Sequence, residues 1–360
     1  MTCRSGRTGA RPRRFRVPLP SPARQGDTGS HRTAERGERR EERGTAPIDG
    51  FPSPVSRLPS PYPHPGREAM PQSVAFLGFG AMGAPMARNL AAAGFAVRGW
   101  NRTASRVTRV ERLDPAASVA EACQGAEFVV SMLADDAAVN AVTYEAGGVL
   151  ESLAPDAIHI GMSTVSVATT ERLGRAHAEK GRGYIAAPVF GRPDAAEKKL
   201  LWIVPGGPDA ALARAAPLFA AMGQGVFPMG TAGHAALAKL AGNFLIAATI
   251  ESLGEAFVLA EKGGLEPAKL QEFLSSTLFA SPIVKGYGAR LVKQEFVPPG
   301  FTLRLGLKDV RLVLAAAEAS AVPMPLAELV QDRLETAIER GRGEIDFAGM
   351  AIVIREEAGL

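Results

Sequence analysis

An α/β domain built on a parallel sheet, followed by an all-α domain, is the fold class the sequence predicts. Three observations predict it: a glycine-rich turn between an apolar strand and a helix near residue 78, alternating strand-like and helix-like segments as far as Pro228, and a purely helical texture beyond Gly230. At 360 residues the chain has the length of about two domains with real cores.

Residues 1–69 stand apart. They hold 14 of the 41 Lys+Arg, 7 of the 37 Asp+Glu and 11 of the 27 Pro, leaving 27 basic against 30 acidic residues in 70–360. The alkaline pI thus belongs to this stretch, and overall charge is no argument for a nucleic-acid partner. With no apolar periodicity, the segment cannot bury enough surface to offset its chain entropy, and it is expected to be a disordered tail. Glu35, Glu38, Glu41 and Glu42 count against a transit peptide, and no hydrophobic core of a secretory signal is present. A nucleic-acid-binding arm is one reading; the preferred one is a natural start at Met70, a few residues before the first strand. Two cysteines, Cys3 and Cys123, supply neither a disulfide framework nor a metal site. No apolar run approaches the 18 or so residues needed to span a bilayer. The expectation is a cytoplasmic protein without a membrane partner.

Val74 to Leu77 reads as a buried strand, and Gly78-x-Gly80-x-x-Gly83 follows it and opens a helix. Gly78 allows the tight turn, Gly80 lets backbone approach a pyrophosphate, and Gly83 lets helix pack on strand. Phe79, Ala81 and Met82 complete the loop, and Pro85 falls in the first turn, where a missing N–H costs nothing. A Rossmann-type dinucleotide site is the implication. The second strand, Phe95 to Trp100, ends in Asn101-Arg102-Thr103, where a site for NAD wants an acid to bind the ribose 2′-hydroxyl. Asn101 and Arg102 therefore favour NADP (as NADPH), and NAD suits the site less well.

The alternation continues through strands over Glu127 to Leu133, Ala157 to Gly161 and Gly183 to Val189, with helices over Asp136 to Val142 and Val167 to Lys180. Leu133, Ala134, Ser163 and Thr164 lie in loops at the carboxyl ends of these strands, where the ligand crevice of a parallel sheet opens. Leu201 to Val204 and Gly225 to Pro228 read as the last short strands around a helix over Pro208 to Ala220. Ala235 to Lys262 is one long helix closed by Gly263-Gly264, and helical periods recur at Pro267–Leu274, Leu303–Ser320 and Pro325–Arg340. Lys239 and Asn243, four residues apart on the long helix, share a face. A lysine bordering apolar surface there can give a proton to a carbonyl oxygen while an asparagine amide holds the same substrate; a lone lysine on a helix is, however, far more often a solvated residue.

Phe76-Leu-Gly-Phe-Gly-Ala-Met-Gly-Ala-Pro-Met-Ala-Arg-Asn-Leu90 resembles the opening signature of the β-hydroxyacid dehydrogenases. Met132-Leu-Ala-Asp135, Ser163-Thr164, Gly230-x-x-Gly233 before Lys239-x-x-x-Asn243, and Lys308-Asp309 after Phe301 follow in the family's order, spanning nearly all of residues 73–330. The resemblance implies an α/β Rossmann domain (70–232) followed by an all-α C-terminal domain (233–360), joined by a long interdomain helix. It implies homodimers or homotetramers built on the helical part, and NADPH as cofactor. It further makes Lys239 the proton donor, Asn243 and Ser163 substrate neighbours, Thr164 a residue at the nicotinamide end, and Lys308 a contact reaching back to the cofactor.

One motif departs. The family's Asp-Ala-Pro-Val-Ser-Gly-Gly loop reads Ala186-Ala-Pro-Val-Phe190-Gly-Arg192 here, so an acid, a hydroxyl and a glycine are gone. Phe190 adds apolar bulk at the expected substrate loop. Arg192 is open between a bidentate carboxylate fork and a surface residue. The expected activity is hydride transfer between NADPH and a small aldehyde, keto or hydroxyacid substrate. Two alternatives stay open: an imine reductase-like enzyme, a branch that usually lacks the lysine, and a non-catalytic NADP-binding protein whose tail contacts nucleic acid.

Overall fold

The computed structural model describes residues 72–360, which lie within one compact unit; the tail, its expected disorder and the start at Met70 lie outside the described residues. Six parallel strands form the main sheet: β1 (Ser73–Leu77), β2 (Ala96–Trp100), β3 (Asp114–Pro115), β4 (Phe128–Ser131), β5 (Ile158–Gly161) and β6 (Gly183–Ala186). Their spatial order is β3-β2-β1-β4-β5-β6, the doubly wound order in which the winding reverses between β1 and β4. The crossover helices are α1 (Gly83–Ala92), α2 (Val119–Cys123), α3 (Asp136–Tyr144), α4 (Val149–Ser152) and α5 (Val167–Glu179). Val74 to Leu77 and Phe128 to Val130 are buried on both faces, as continuous apolar strands in a covered parallel sheet must be.

The sequence reading ran one strand from Gly183 to Val189. The chain instead leaves the sheet after Ala186, since Pro188 has no N–H for a ladder. Val189–Phe190 becomes β7 of a second, three-stranded sheet with β8 (Leu201–Ile203) and β9 (Gly223–Val226). The pair β7·β8 is antiparallel, and α6 (Pro193–Glu197) and α7 (Asp209–Met222) flank it. This break matters to the site, because it swings Phe190 and Arg192 away from the main sheet toward the helical part.

Helix α8 (Ala232–Lys262) begins three residues earlier than its apolar pattern suggested, because the Thr231 hydroxyl accepts from His234 N at 3.2 Å and caps it. Around it pack α9 (Pro267–Ser276), α10 (Pro282–Lys293), α11 (Leu303–Ala319), α12 (Pro325–Ala337) and α13 (Ala351–Glu357), together with α5 of the first part. Helices α10 and α13 were not foreseen. Glycines interrupt the first, and the second is short enough to depend on burial of Val353 and Ile354. Interspersed polar residues hid a further property of α8: an 18-residue window averages a mean hydropathy of 1.4, enough by length and composition to cross a membrane. Its burial of Ile250, Leu253 and Phe257, and of Glu251 paired with Arg333 at 3.0 Å, makes it the shared core of the helical part.

Under the sheet lies a buried polar chain. Leu173 O only accepts, so His177 Nδ1, 2.7 Å away, carries a proton; His177 Nε2 then accepts from His159 Nδ1 at 3.1 Å, and His159 Nε2 accepts from Ser131 Oγ at 2.9 Å. Burial holds both rings neutral, with pKa values below the usual 6.5 and that of His159 far below it. The unfolded chain therefore takes up protons first as pH falls. Stability should be complete above about pH 6.5 and decline below it, by up to ~1.4 kcal/mol per pH unit for each ring. Denaturant midpoints at pH 7.5 and 5 measure this, and equal midpoints would contradict it.

Candidate active site

A cleft of about 1880 Å³ opens where β1, β2 and β4 end and α8, α10 and α11 face them. At one end it is lined by Gly78, Gly80, Ala81, Met82, Gly83, Asn101, Arg102 and Thr103; at the other by Phe190, Arg192, Lys239, Asn243 and Lys308, with Leu133, Ala134 and Thr164 between. The volume exceeds that of a single small-molecule pocket, typically about 300–1,000 Å³.

The glycine loop is built as its spacing implies. Gly78 has φ +104°, and a Cβ there would lie 2.2 Å from Met132 O; one on Gly83 would lie 1.9 Å from Gly78 O. A Cβ on Gly80, by contrast, would meet no protein atom within 4 Å, so that backbone is bare toward the cleft. Helix α1 has no side-chain cap, which turns its positive dipole end toward the cleft for an anion. These residues fit a dinucleotide pyrophosphate.

One expected cofactor contact, Phe79, is corrected, and a second, Asn101, lines the cleft while its amide braces the loop. Phe79 is 3% exposed and its ring packs on Phe76 in the core, so only its backbone serves the loop. Asn101 spends its amide internally: Oδ1 accepts from Phe79 N at 2.9 Å and Nδ2 donates to Thr103 O at 3.0 Å. Asn101 thus braces the turn, and the exposed positive charge beside it comes from Arg102 and from Arg106, which the sequence reading passed over four residues downstream.

Ser163 lies just behind the cleft wall. Its Oγ accepts from Leu133 N at 2.8 Å, which fixes the Leu133-Ala134 wall, and it is buried. It lines a small adjoining pocket together with Thr164 and Lys239. Thr164 does line the cleft, and its carbonyl accepts from Lys308 Nζ at 2.7 Å, a bond that ties α11 to the loop after β5.

Lys239 is the focus of the far end. It is 9% exposed, and burial draws its pKa from 10.5 to about 8; Asp309 opposes the fall and Lys308 adds to it. Its Nζ sits 4.1 Å from the centre of the Phe190 ring, whose face attracts an ammonium. Asn243 Nδ2 donates to Asp309 Oδ2 at 2.6 Å, which orients the amide. Lys308 Nζ lies 2.9 Å from Asp309 Oδ1, off the angle of a hydrogen bond, so the contact is an ion pair and that oxygen has no hydrogen-bond partner. Asp309 was visible only as the residue after Lys308.

Arg192 lines the cleft and pairs with a carboxylate of the chain itself. Its Nη2 donates to Asp346 Oδ2 at 2.8 Å, and the same oxygen accepts from Gly300 N at 2.9 Å. Asp346 is 0% exposed; burial alone would raise its pKa, yet Arg192 and the Gly300 amide hold it below the usual carboxylate value. Nothing in the sequence pointed to Asp346, which follows Ile345 in an irregular stretch.

A parallel sheet in this order, a bare glycine loop at its reversal point, and a buried lysine across the cleft together define a dinucleotide-dependent oxidoreductase of the Rossmann type. Residues 73–230 match the family described as the NAD binding domain of 6-phosphogluconate dehydrogenase, and residues 233–354 the one described as NAD-binding of NADP-dependent 3-hydroxyisobutyrate dehydrogenase. The chain is 42% identical over 285 residues to the uncharacterized oxidoreductase YfjR of Bacillus subtilis, covering 78% of this chain and 99% of that one. It is 34% identical to glyoxylate/succinic semialdehyde reductase 1 of Arabidopsis thaliana, covering 78% and 98%. The solved 3-hydroxyisobutyrate dehydrogenase of Mycobacterium tuberculosis superposes with a TM-score of 0.73 at 28% identity, covering 79% of this chain and all of that one. The chain belongs to the β-hydroxyacid dehydrogenase family.

Proposed function

We propose that this protein is an NADPH-dependent reductase of aldehydes or ketones, working reversibly on the corresponding alcohols, with Lys239 as the proton donor. The observation that carries the reading is the buried Lys239 ammonium, lined up in one cleft with Asn243 and the glycine loop. When bound, NADPH supplies the hydride. The chain's own groups do the rest. Asn243, held by Asp309, positions the carbonyl; Lys239, with a pKa near 8, gives a proton to the oxygen as negative charge develops there. Retention of the lysine favours C=O over C=N chemistry and an enzyme over a binding protein. The balanced charge of residues 70–360 speaks against nucleic acid, and exposed Leu237, Leu245 and Leu259 on α8 suit a homodimer or homotetramer. A cytoplasmic setting accords with the buried thiol of Cys123.

Arg102 and Arg106 are proposed to select NADP by meeting its 2′-phosphate. Removing both charges, as Arg102→Ala with Arg106→Ala, should raise KM for NADPH by about 10-fold or more while leaving that for NADH within about 2-fold, consistent with charged hydrogen bonds worth ~1.5–3 kcal/mol. Consumption of NADPH with an aldehyde panel tests activity and preference together. No consumption with any carbonyl would overturn the reductase reading; equal losses for both cofactors would overturn the roles of the two arginines.

A further inference from the structure

The wall facing Lys239 is an aromatic ring where the family loop has a serine, and this has consequences for the substrate. Phe190 reaches the cleft because β7 leaves the main sheet, and its ring is seated against α8 at Gly242, where a Cβ would come within 2.3 Å of it. One face of the ring lies 4.1 Å from Lys239 Nζ. Around it, Ile246, Tyr287 and Phe301 continue an apolar surface along the same cleft. Each other cation at this end of the cleft already has an internal partner. Arg192 is bonded to Asp346, and Lys308 to Thr164 O with Asp309 beside it. Arg290 stands 4.0 Å from the same Asp346 and donates to Glu295 O at 3.1 Å.

A carboxylate next to the reacting carbon would press on a phenyl ring, with the Lys239 ammonium beside it. Placing it there costs the charge much of its hydration, against one cationic partner and an apolar wall. It would also hold the ammonium by ion pairing, and an ammonium so held is a poorer acid toward the carbonyl oxygen.

We propose that the substrate is an aldehyde or ketone whose second arm is apolar and lies on Phe190, and that Phe190 excludes carbonyl compounds with a carboxylate bonded directly to the carbonyl carbon. The inference rests on the reductase reading and names its substrate class. Hydride from NADPH adds to the carbonyl carbon, the C=O π pair moves to oxygen, and that oxygen takes the Lys239 proton; the products are the alcohol, NADP⁺ and a neutral lysine that regains a proton from water.

The test compares phenylacetaldehyde with glyoxylate as substrates of the full chain with NADPH, for the wild type, Phe190→Ser and Phe190→Leu. Because loss of the ring also touches Lys239, the readout is the ratio of the two kcat/KM values, in which any common effect on proton donation cancels. The wild type should favour phenylacetaldehyde by about 10-fold or more, Phe190→Ser should lower that ratio by about 10-fold or more, and Phe190→Leu should keep it, in line with the worth of one apolar contact or one unmatched polar group. A wild-type preference for glyoxylate, or a ratio unmoved by Phe190→Ser, would overturn the proposal. NADPH fluorescence confirms that each variant is folded; should Phe190→Ser fail that check, the wild-type and Phe190→Leu ratios decide. Reduction confined to carboxylate-bearing carbonyls would sink this inference alone. No reduction of any carbonyl would sink the reductase reading with it.

Discussion

Replacing Lys239 by alanine is expected to lower turnover by about 10²–10⁴-fold, the usual worth of a positioned general acid, while NADPH affinity stays within about 2-fold. The split follows from the geometry. Lys239 lines the far end of the cleft, whereas the pyrophosphate cradle at Gly78 to Gly83 and the Arg102/Arg106 pair lie at the other. Lys239→Met, which keeps the apolar stem over Phe190, should be no more active than the alanine variant; recovery in it would mean that the stem, not the charge, matters. Burial sets the pKa near 8, so the protonated form is present below that value and lost above it. Carbonyl reduction by the wild type should therefore fall as pH rises through about 8, while alcohol oxidation, which needs a base, should rise over the same interval. Near-normal turnover of Lys239→Ala, or a flat profile between pH 6.5 and 9.5, would remove the lysine from the mechanism.

Asp346→Ala should be the most destabilising single change in the clasp between the two parts. Its carboxylate is wholly buried and accepts from Arg192, from Gly300 N and from Ala348 N. Deleting it strands a half-buried guanidinium and two backbone donors, which breaks a buried pair at a cost of about 3–5 kcal/mol. The thermal midpoint should drop on the order of 10 °C. Arg192→Met in the same background should restore part of the loss, because it removes the orphaned charge. Additive losses from the two changes would show that the pair does not act as a unit.

Much of this protein was legible in its text, for identifiable reasons. The Gly78 to Gly83 loop, the buried strands and the capped long helix are local patterns, in which residue type and spacing carry the backbone's needs directly. Lys239 and Asn243 were legible because a four-residue interval fixes a helix face. What escaped was set by distant contacts. Phe79 turns inward because the β1–α1 core receives it, and the bonds of Ser163 to Leu133 N and of Asn101 to Phe79 N join segments 30 and 22 residues apart. Arg192 could not be placed without Asp346, 154 residues further on, which has no local signature. The exit of the chain at Pro188 was written in the sequence, and its effect on Phe190 was not.

The fit of Phe190 against Gly242 also bears on how this site could change. A helix-interior glycine costs about 1 kcal/mol relative to alanine, so position 242 would gain helix stability from almost any other residue. The ring opposes it, since a Cβ there would sit 2.3 Å from Phe190 Cζ, and the ring would have to move. The two positions are therefore coupled: residue 242 can grow only if the ring at 190 shifts or shrinks. A lineage or library that mutates 242 first meets a steric barrier, and one that begins at 190 passes through an intermediate with an opened wall beside the lysine. Saturation libraries that vary both codons at once would reach combinations that stepwise searches starting from Gly242 do not.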